Sequence, residues 1–246
     1  MAYSKYGNGD IRVIMIHGWG LTHKLWCRLV SEMDKGTYSF YSVDLVGFGD
    51  SDKSRDQYNI DSWSRDIIEF AEIIGIREPI IFGHSLGASV TLNTLILHTL
   101  NARAAVIFDS GCKSAGNVKH LIESIENGVT RAEVRNLISS FFGSIRADDL
   151  DEFTNKALKM GHRTMVSTLN AISSFDLTDL IGTIDIPTLV FYGDRDRNRD
   201  IREVEGLASL LPRGFLRIVS GSGHCPMYEK PLEVALTLTD FIKMRL

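Results

Sequence analysis

The stretch Gly83-His84-Ser85-Leu86-Gly87 sets a hydroxyl between two glycines, directly after an apolar run and directly before a segment of helical character. A serine on so tight a strand-to-helix turn is forced into a strained backbone conformation. Flanking glycines remove the side chains that would clash, and the hydroxyl is left exposed at the end of the strand. The helix that begins there adds free N–H groups and the positive end of its dipole. The plainer reading is a turn serine that caps the helix. As chemistry, the pattern points to nucleophilic attack on an acyl carbon. A serine hydroxyl is a weak nucleophile near neutrality and needs a base, and that base needs an orienting acid.

Seven histidines are available. His224, in "GSGHCPMYEKP" after the last apolar run, stands where a base falls if the chain order is serine, acid, histidine. His84 is expected to point away from the nucleophile, and His17 to brace its own loop. His23, His98, His120 and His162 fall on expected helices and read as solvated or packed side chains. For the acid, "FYGDRDRNRD" offers Asp194, Asp196 and Asp200. Asp196, just past the strand tip, is preferred, Asp200 reads as a helix cap, and Asp109 is the second choice. Acyl chemistry also needs donors for a developing oxyanion. The Leu86 amide follows the nucleophile, and the Trp19 amide of "HGWG" supplies a second, although a simple tight turn also accounts for those glycines.

These residues need a frame that brings distant segments to one edge. Six short apolar runs, at 11–16, 38–43, 79–83, 104–108, 188–193 and 215–220, read as strands buried on both faces, as in a parallel sheet. Five of the six end in a reactive or glycine-rich segment, and open parallel sheets bind ligands at the carboxyl ends of their strands. Segments 60–74, 86–99, 201–211 and 232–244 carry helical spacing between them. Residues 113–183 break the alternation with four helical stretches and no strand. The expected organisation is an α/β core of residues 1–112 and 184–246, with 113–183 as a helical insertion.

The 246 residues suffice for one large core with an insertion. A composition of 44% apolar and 24% charged residues is that of a globular protein. A net charge of −4 with no basic stripe argues against a nucleic-acid binder. Cys27, Cys112 and Cys225 are scattered and odd in number, so neither a disulfide framework nor a zinc site is indicated. The polar N-terminus has no apolar signal core, and no run approaches the ~20 apolar residues of a membrane span. A cytoplasmic location is the expectation.

"HGWG", "DLVGFGDSD", "GHSLG", "GDRD" and "SGHCPMYEKP", in this order over essentially the whole chain, resemble the α/β-hydrolase fold family. The resemblance implies a Ser85–His224–Asp196 triad, an oxyanion hole at Trp19 and Leu86, and a cap formed by the insertion. It implies no metal and no organic cofactor. Members that dehalogenate or open epoxides use an aspartate nucleophile, which serine at 85 excludes. Within the family, "IHGWGLTHKLW" and "FDLTDLIGTIDIPTLVFYGDRD" are similar to the biotin-pathway esterases that demethylate pimeloyl-acyl-carrier-protein methyl ester. Those enzymes dock the acyl carrier protein on basic cap residues. Here Arg131, Arg135, Arg146, Lys156, Lys159 and Arg163 are interspersed with acids, and His84 stands where the best-known members have tryptophan. Trp19, Phe141 and Phe142 are candidates to line an acyl pocket, although cap–core packing explains the two phenylalanines equally well. Ester hydrolysis leads. Lactone opening and carbon–carbon hydrolysis on the same triad remain alternatives, as does a non-catalytic receptor on the same fold.

Overall fold

The computed structural model describes residues 1–114 and 118–246. Strands β1 (Tyr3–Tyr6), β2 (Ile11–Ile16), β3 (Tyr38–Val43), β4 (Ile80–His84), β5 (Ala104–Phe108), β6 (Thr188–Gly193) and β7 (Gly214–Val219) form one sheet in the order β1-β3-β2-β4-β5-β6-β7. All neighbours pair in parallel except β1, which runs antiparallel to β3. Every residue of β3, β4, β5 and β6 is buried. Successive side chains point to opposite faces, so helices must cover both.

Between the strands lie α1 (Cys27–Glu32), α2 (Ile60–Ile74) and α3 (Leu86–Ile96). Asn59 and Ser62 close a reciprocal capping box at the start of α2, and Gly75 ends that helix in the left-handed region at φ 71°. Its apolar stripe of Ile60, Trp63, Ile67, Phe70 and Ala71 is buried, and α2 packs on α3, which is buried over almost its whole length. After the sheet resumes come α8 (Ile201–Leu210), the short α9 (Pro226–Glu229) and α10 (Pro231–Arg245), with α10 packed on α1.

The chain between β5 and β6 holds α4 (Lys119–Glu126), α5 (Arg131–Ser140), α6 (Ala147–Leu158) and α7 (Gly161–Ser173). Its two ends are stitched together. Lys113 bridges Asp176, the Ser114 amide donates to the Phe175 carbonyl at 3.1 Å, and the Leu177 amide donates to the Cys112 carbonyl at 2.9 Å. The helices pair as α5 with α6 and α4 with α7.

Besides the one-turn helix α9, two elements were not expected. The strand β1 is short and polar, and it is held by pairing with β3 and by Tyr3 meeting Phe70 edge-on at 5.1 Å. The helix α1 has only six residues, too few for a helical period to show. The last strand corrects a further expectation. It is an edge strand, with Leu216 and Ile218 exposed, and is not buried on both faces.

Candidate active site

The turn after β4 has the geometry its sequence predicts. Ser85 takes φ 50° and ψ −111°, a region that L-residues occupy only when their surroundings enforce it. Its amide donates to the Phe108 carbonyl at 3.0 Å, and its carbonyl accepts from the Ala88 and Ser89 amides, so the turn is pinned to β5 and to α3. The flanking glycines are required by space. A methyl group on Gly87 would run into the Ile16 carbonyl, and one on Gly83 into the Gly87 carbonyl and Thr91 Oγ1. Ser85 itself is half-exposed while both glycines are buried.

His224 and Asp196 meet on the loops after β7 and β6. His224 Nδ1 lies 2.7 Å from Asp196 Oδ2. The Asn198 amide donates to Asp196 Oδ1 at 2.7 Å, so both oxygens of that carboxylate are engaged. Burial pushes the Asp196 carboxyl up, but the His224 hydrogen bond and charge outweigh it and leave the group below its usual range. Asp194 and Asp200 stand elsewhere. Asp194 accepts from the Gly221 amide, and Asp200 closes the capping box of α8 with Glu203.

Asp109, the second-choice acid, lies beside the pair. It is fully buried at φ 48°, and it, Asp196 and His224 place ligand-capable atoms within 4.8 Å of one another. Asp109 Oδ1 accepts from the Gly193 amide at 2.8 Å, while Oδ2 has no donor among the described residues. Burial and the adjacent Asp196 charge push the Asp109 carboxyl far up. Two carboxyls so close share one proton. Asp196 already has donors from His224 and Asn198, so Asp109 is the carboxyl that is pushed toward its neutral form.

The "HGWG" segment follows β2. A side chain on Gly18 would come within 2.6 Å of His84 Nδ1, so this loop can lie against the serine turn only with glycine there. His17 accepts from the Leu45 amide through Nε2 at 3.1 Å, which leaves its Nδ1 to donate to the Gly18 carbonyl at 2.7 Å. Burial keeps His17 below its ordinary value and neutral. Asp44, also fully buried, accepts from the His23 and Asp50 amides and pairs with His23 Nδ1 at 3.0 Å. Burial opposes its charge, but these donors win and hold its carboxyl down to about 2. The Trp19 indole donates to Thr168 Oγ1 at 2.9 Å, which ties this loop to α7.

His84 departs from its expected place. Its ring centroid lies 4.8 Å from that of His224, and its Nε2 lies 2.8 Å from the His224 carbonyl. Burial and the nearby His224 push it far down, so His84 is neutral and donates through Nε2 to the loop that carries His224. A cavity of about 330 Å³ opens beside these groups, with Ser85, Leu86, His224, Trp19 and Phe141 in its wall. Phe142 is corrected as a lining residue. It stacks on Phe153 at 6.1 Å and meets Tyr228 at 5.1 Å, so it packs the insertion against α9.

With this geometry in place, comparison with known proteins is direct. The sequence model described as "Alpha/beta hydrolase family" matches residues 13–236. The chain belongs to the alpha/beta hydrolase family. Among its relatives, this hydrolase is 23% identical to a pimeloyl-[acyl-carrier protein] methyl ester esterase of Wigglesworthia glossinidia brevipalpis, over 96% of this chain and 95% of the other. It superposes on a bromoperoxidase from Bacillus anthracis with a TM-score of 0.91 at 18% identity, covering 98% of this chain and 94% of that one. An esterase from Exiguobacterium antarcticum gives a TM-score of 0.87 at 19% identity, with coverage of 98% and 94%. The hydrolase has no helix among its described residues that is long and apolar enough to cross a membrane.

Proposed function

We propose that this protein is a serine hydrolase of carboxylic esters of small acyl groups. Ser85 Oγ attacks the ester carbonyl, and His224 takes the hydroxyl proton and then delivers it to the leaving alcohol. Asp196 holds the imidazole in the required tautomer and offsets the imidazolium charge. The Trp19 and Leu86 amides receive the oxyanion. Water, activated by the same histidine, releases the acid and restores Ser85. Residues 113–183 act as a cap that, with the core of 1–112 and 184–246, encloses the acyl group. Three free thiols support a reducing compartment such as the cytoplasm.

One observation carries this reading. A strained, half-buried Ser85 and a His224 that is hydrogen-bonded to Asp196 line a single cavity whose wall is shared by core and insertion. The carrier-protein reading has less behind it. Arg131 and Arg135 are paired with Asp151, Lys156 with Asp50 and Arg163 with Asp56, so these cations are already engaged.

The test is hydrolysis of free methyl and p-nitrophenyl esters of increasing chain length beside the carrier-bound pimeloyl methyl ester, with Ser85→Ala as the blank. Turnover of free short esters, falling about 10³-fold or more in the blank, is expected. Turnover confined to the carrier-bound ester would transfer the function to the biotin pathway. Rates equal to the blank on every ester would refute ester hydrolysis.

A further inference from the structure

The cavity beside Ser85 is walled by apolar side chains, including Leu121, Leu137, Phe141, Leu169, Ile172 and Phe175. One cation interrupts this wall. Arg199 lies three residues beyond Asp196, on the loop leading to α8, and is only 9% exposed. Long charged side chains are almost never buried to this degree without a matching partner.

Glu203 and the more distant Asp196 charge offset part of the Arg199 charge, but they do not use up its donors. Both side-chain hydrogen bonds of Arg199 run through Nη1, one to the Lys113 carbonyl at 3.1 Å and one to Glu203 Oε2 at 3.5 Å. The second is at the outer limit of a hydrogen bond, and the Glu203 side chain is 30% exposed, so solvent weakens the pairing. The guanidinium carries five N–H donors in a rigid fork suited to a carboxylate. Nε and Nη2 make no hydrogen bond among the described residues and are not sealed from solvent, so they are open to a ligand in the cavity.

We propose that Arg199 is a specificity-determining residue that receives a second carboxylate on the substrate, so that the preferred esters are monoesters of short dicarboxylic acids. The proposal rests on Ser85 being the nucleophile. With the scissile carbonyl at Ser85, the methylene chain lies along the apolar wall. The far carboxylate then meets a guanidinium that is largely buried and held by the Lys113 carbonyl and Glu203. A neutral acyl chain leaves that charge without its missing partner. This is the arrangement that gives large discrimination, because binding the wrong substrate leaves the polar group in the site unpaired.

Two measurements test it. The first is kcat/KM for the monomethyl esters of succinate, glutarate, adipate and pimelate, relative to methyl esters of monocarboxylic acids of the same chain length. The wild type is expected to favour the anionic member by about tenfold or more at its best length. Arg199→Gln is expected to lower that ratio by about tenfold, through KM, with Arg199→Lys between. The ratio is insensitive to a general loss of fold. Glu203→Gln, which removes the competing carboxylate, is expected to hold or raise it. A wild type that prefers neutral esters, or a ratio unchanged in Arg199→Gln, overturns the proposal. The second is calorimetric titration of glutarate and adipate into Ser85→Ala and into Ser85→Ala with Arg199→Gln. Binding lost only in the double variant supports the anion site even if no ester is turned over, in which case the hydrolase reading alone falls. Absence of binding in Ser85→Ala overturns the site.

Discussion

Asp44 and Asp151 are both acids that meet two basic residues, yet they stand in opposite surroundings. Asp44, at the end of β3, is fully buried and receives backbone donors from His23 and Asp50 in addition to its histidine neighbours. Asp151, in α6, is about half exposed and holds Arg131 and Arg135 at 3.3 and 3.1 Å. The same contrast runs through the molecule. At the carboxyl end of the sheet, loops are fixed by buried groups and by glycines that a methyl would push off their neighbours. The insertion is fixed by amphipathic packing, a stitched neck and ion pairs on its surface, such as Lys156 with Asp50 and Arg163 with Asp56. The sheet end is a rigid platform for chemistry. The insertion is the part that can change its lining without undoing that platform.

Glycine substitutions give the largest separation between the two regions. Gly87→Ala forces a methyl into the Ile16 carbonyl and should cost about 3 kcal/mol, with loss of activity as the serine turn shifts. Gly182→Ala, near the end of the insertion where a methyl meets nothing within 4 Å, should stay within about 0.5 kcal/mol. Urea unfolding of the two variants checks this, and comparable losses would erase the distinction.

The buried acids sharpen it through pH. The folded Asp44 carboxyl is held at about 2, below an unfolded value near 3.9. Its charge therefore stabilises the fold above about pH 4, by about 2 to 3 kcal/mol, and that contribution is lost as pH falls through about 2. Asp44→Asn should show its largest deficit near neutrality, with the gap to wild type narrowing in acid. Asp109 has the opposite sign. Its folded value is raised, so the unfolded chain ionises first and wild-type stability declines as pH rises above about 4. Asp109→Asn keeps both an acceptor for the Gly193 amide and a donor for Asp196. It should therefore match or exceed the wild type at pH 7, with the advantage closing toward pH 4. A pH-independent loss in chemical denaturation would mean that Asp109 is ionised in the native state.

The smallest effect belongs to the insertion. Asp151→Ala breaks two exposed ion pairs and should cost less than about 1 kcal/mol, a loss that added salt reduces further. Thermal melts at low and high ionic strength measure it.

The sequence was most readable where burial and periodicity coincide. The runs at β5 and β6 are uninterrupted apolar or β-branched stretches because both faces are covered, and the glycines around Ser85 mark close approaches that no other residue permits. Edge elements were less readable. The tetrapeptide of β1 carries no period, and β7 has the composition of a buried strand although one side lacks a neighbour. At the site, Ser85, Asp196 and His224 were readable as types at strand ends. Asp109 was readable only as a second-choice acid, and the places of His84 and Arg199 were not readable, because each owes its importance to burial and to the group opposite it in space. In "DRDRNRD", Asp196 and Arg199 are turned inward while Asp194 and Asp200 remain outside, and only the inward turn of Asp196 was expected.

The central claim is that Ser85 is a nucleophile activated by His224. Labelling with a fluorophosphonate, followed by peptide mass spectrometry, tests it without any assumption about the acyl group. One adduct on the peptide containing Ser85 is expected in the wild type, with none in Ser85→Ala and slow labelling in His224→Gln. A protein that hydrolyses esters while Ser85 stays unmodified, or that labels equally fast without His224, would contradict the account.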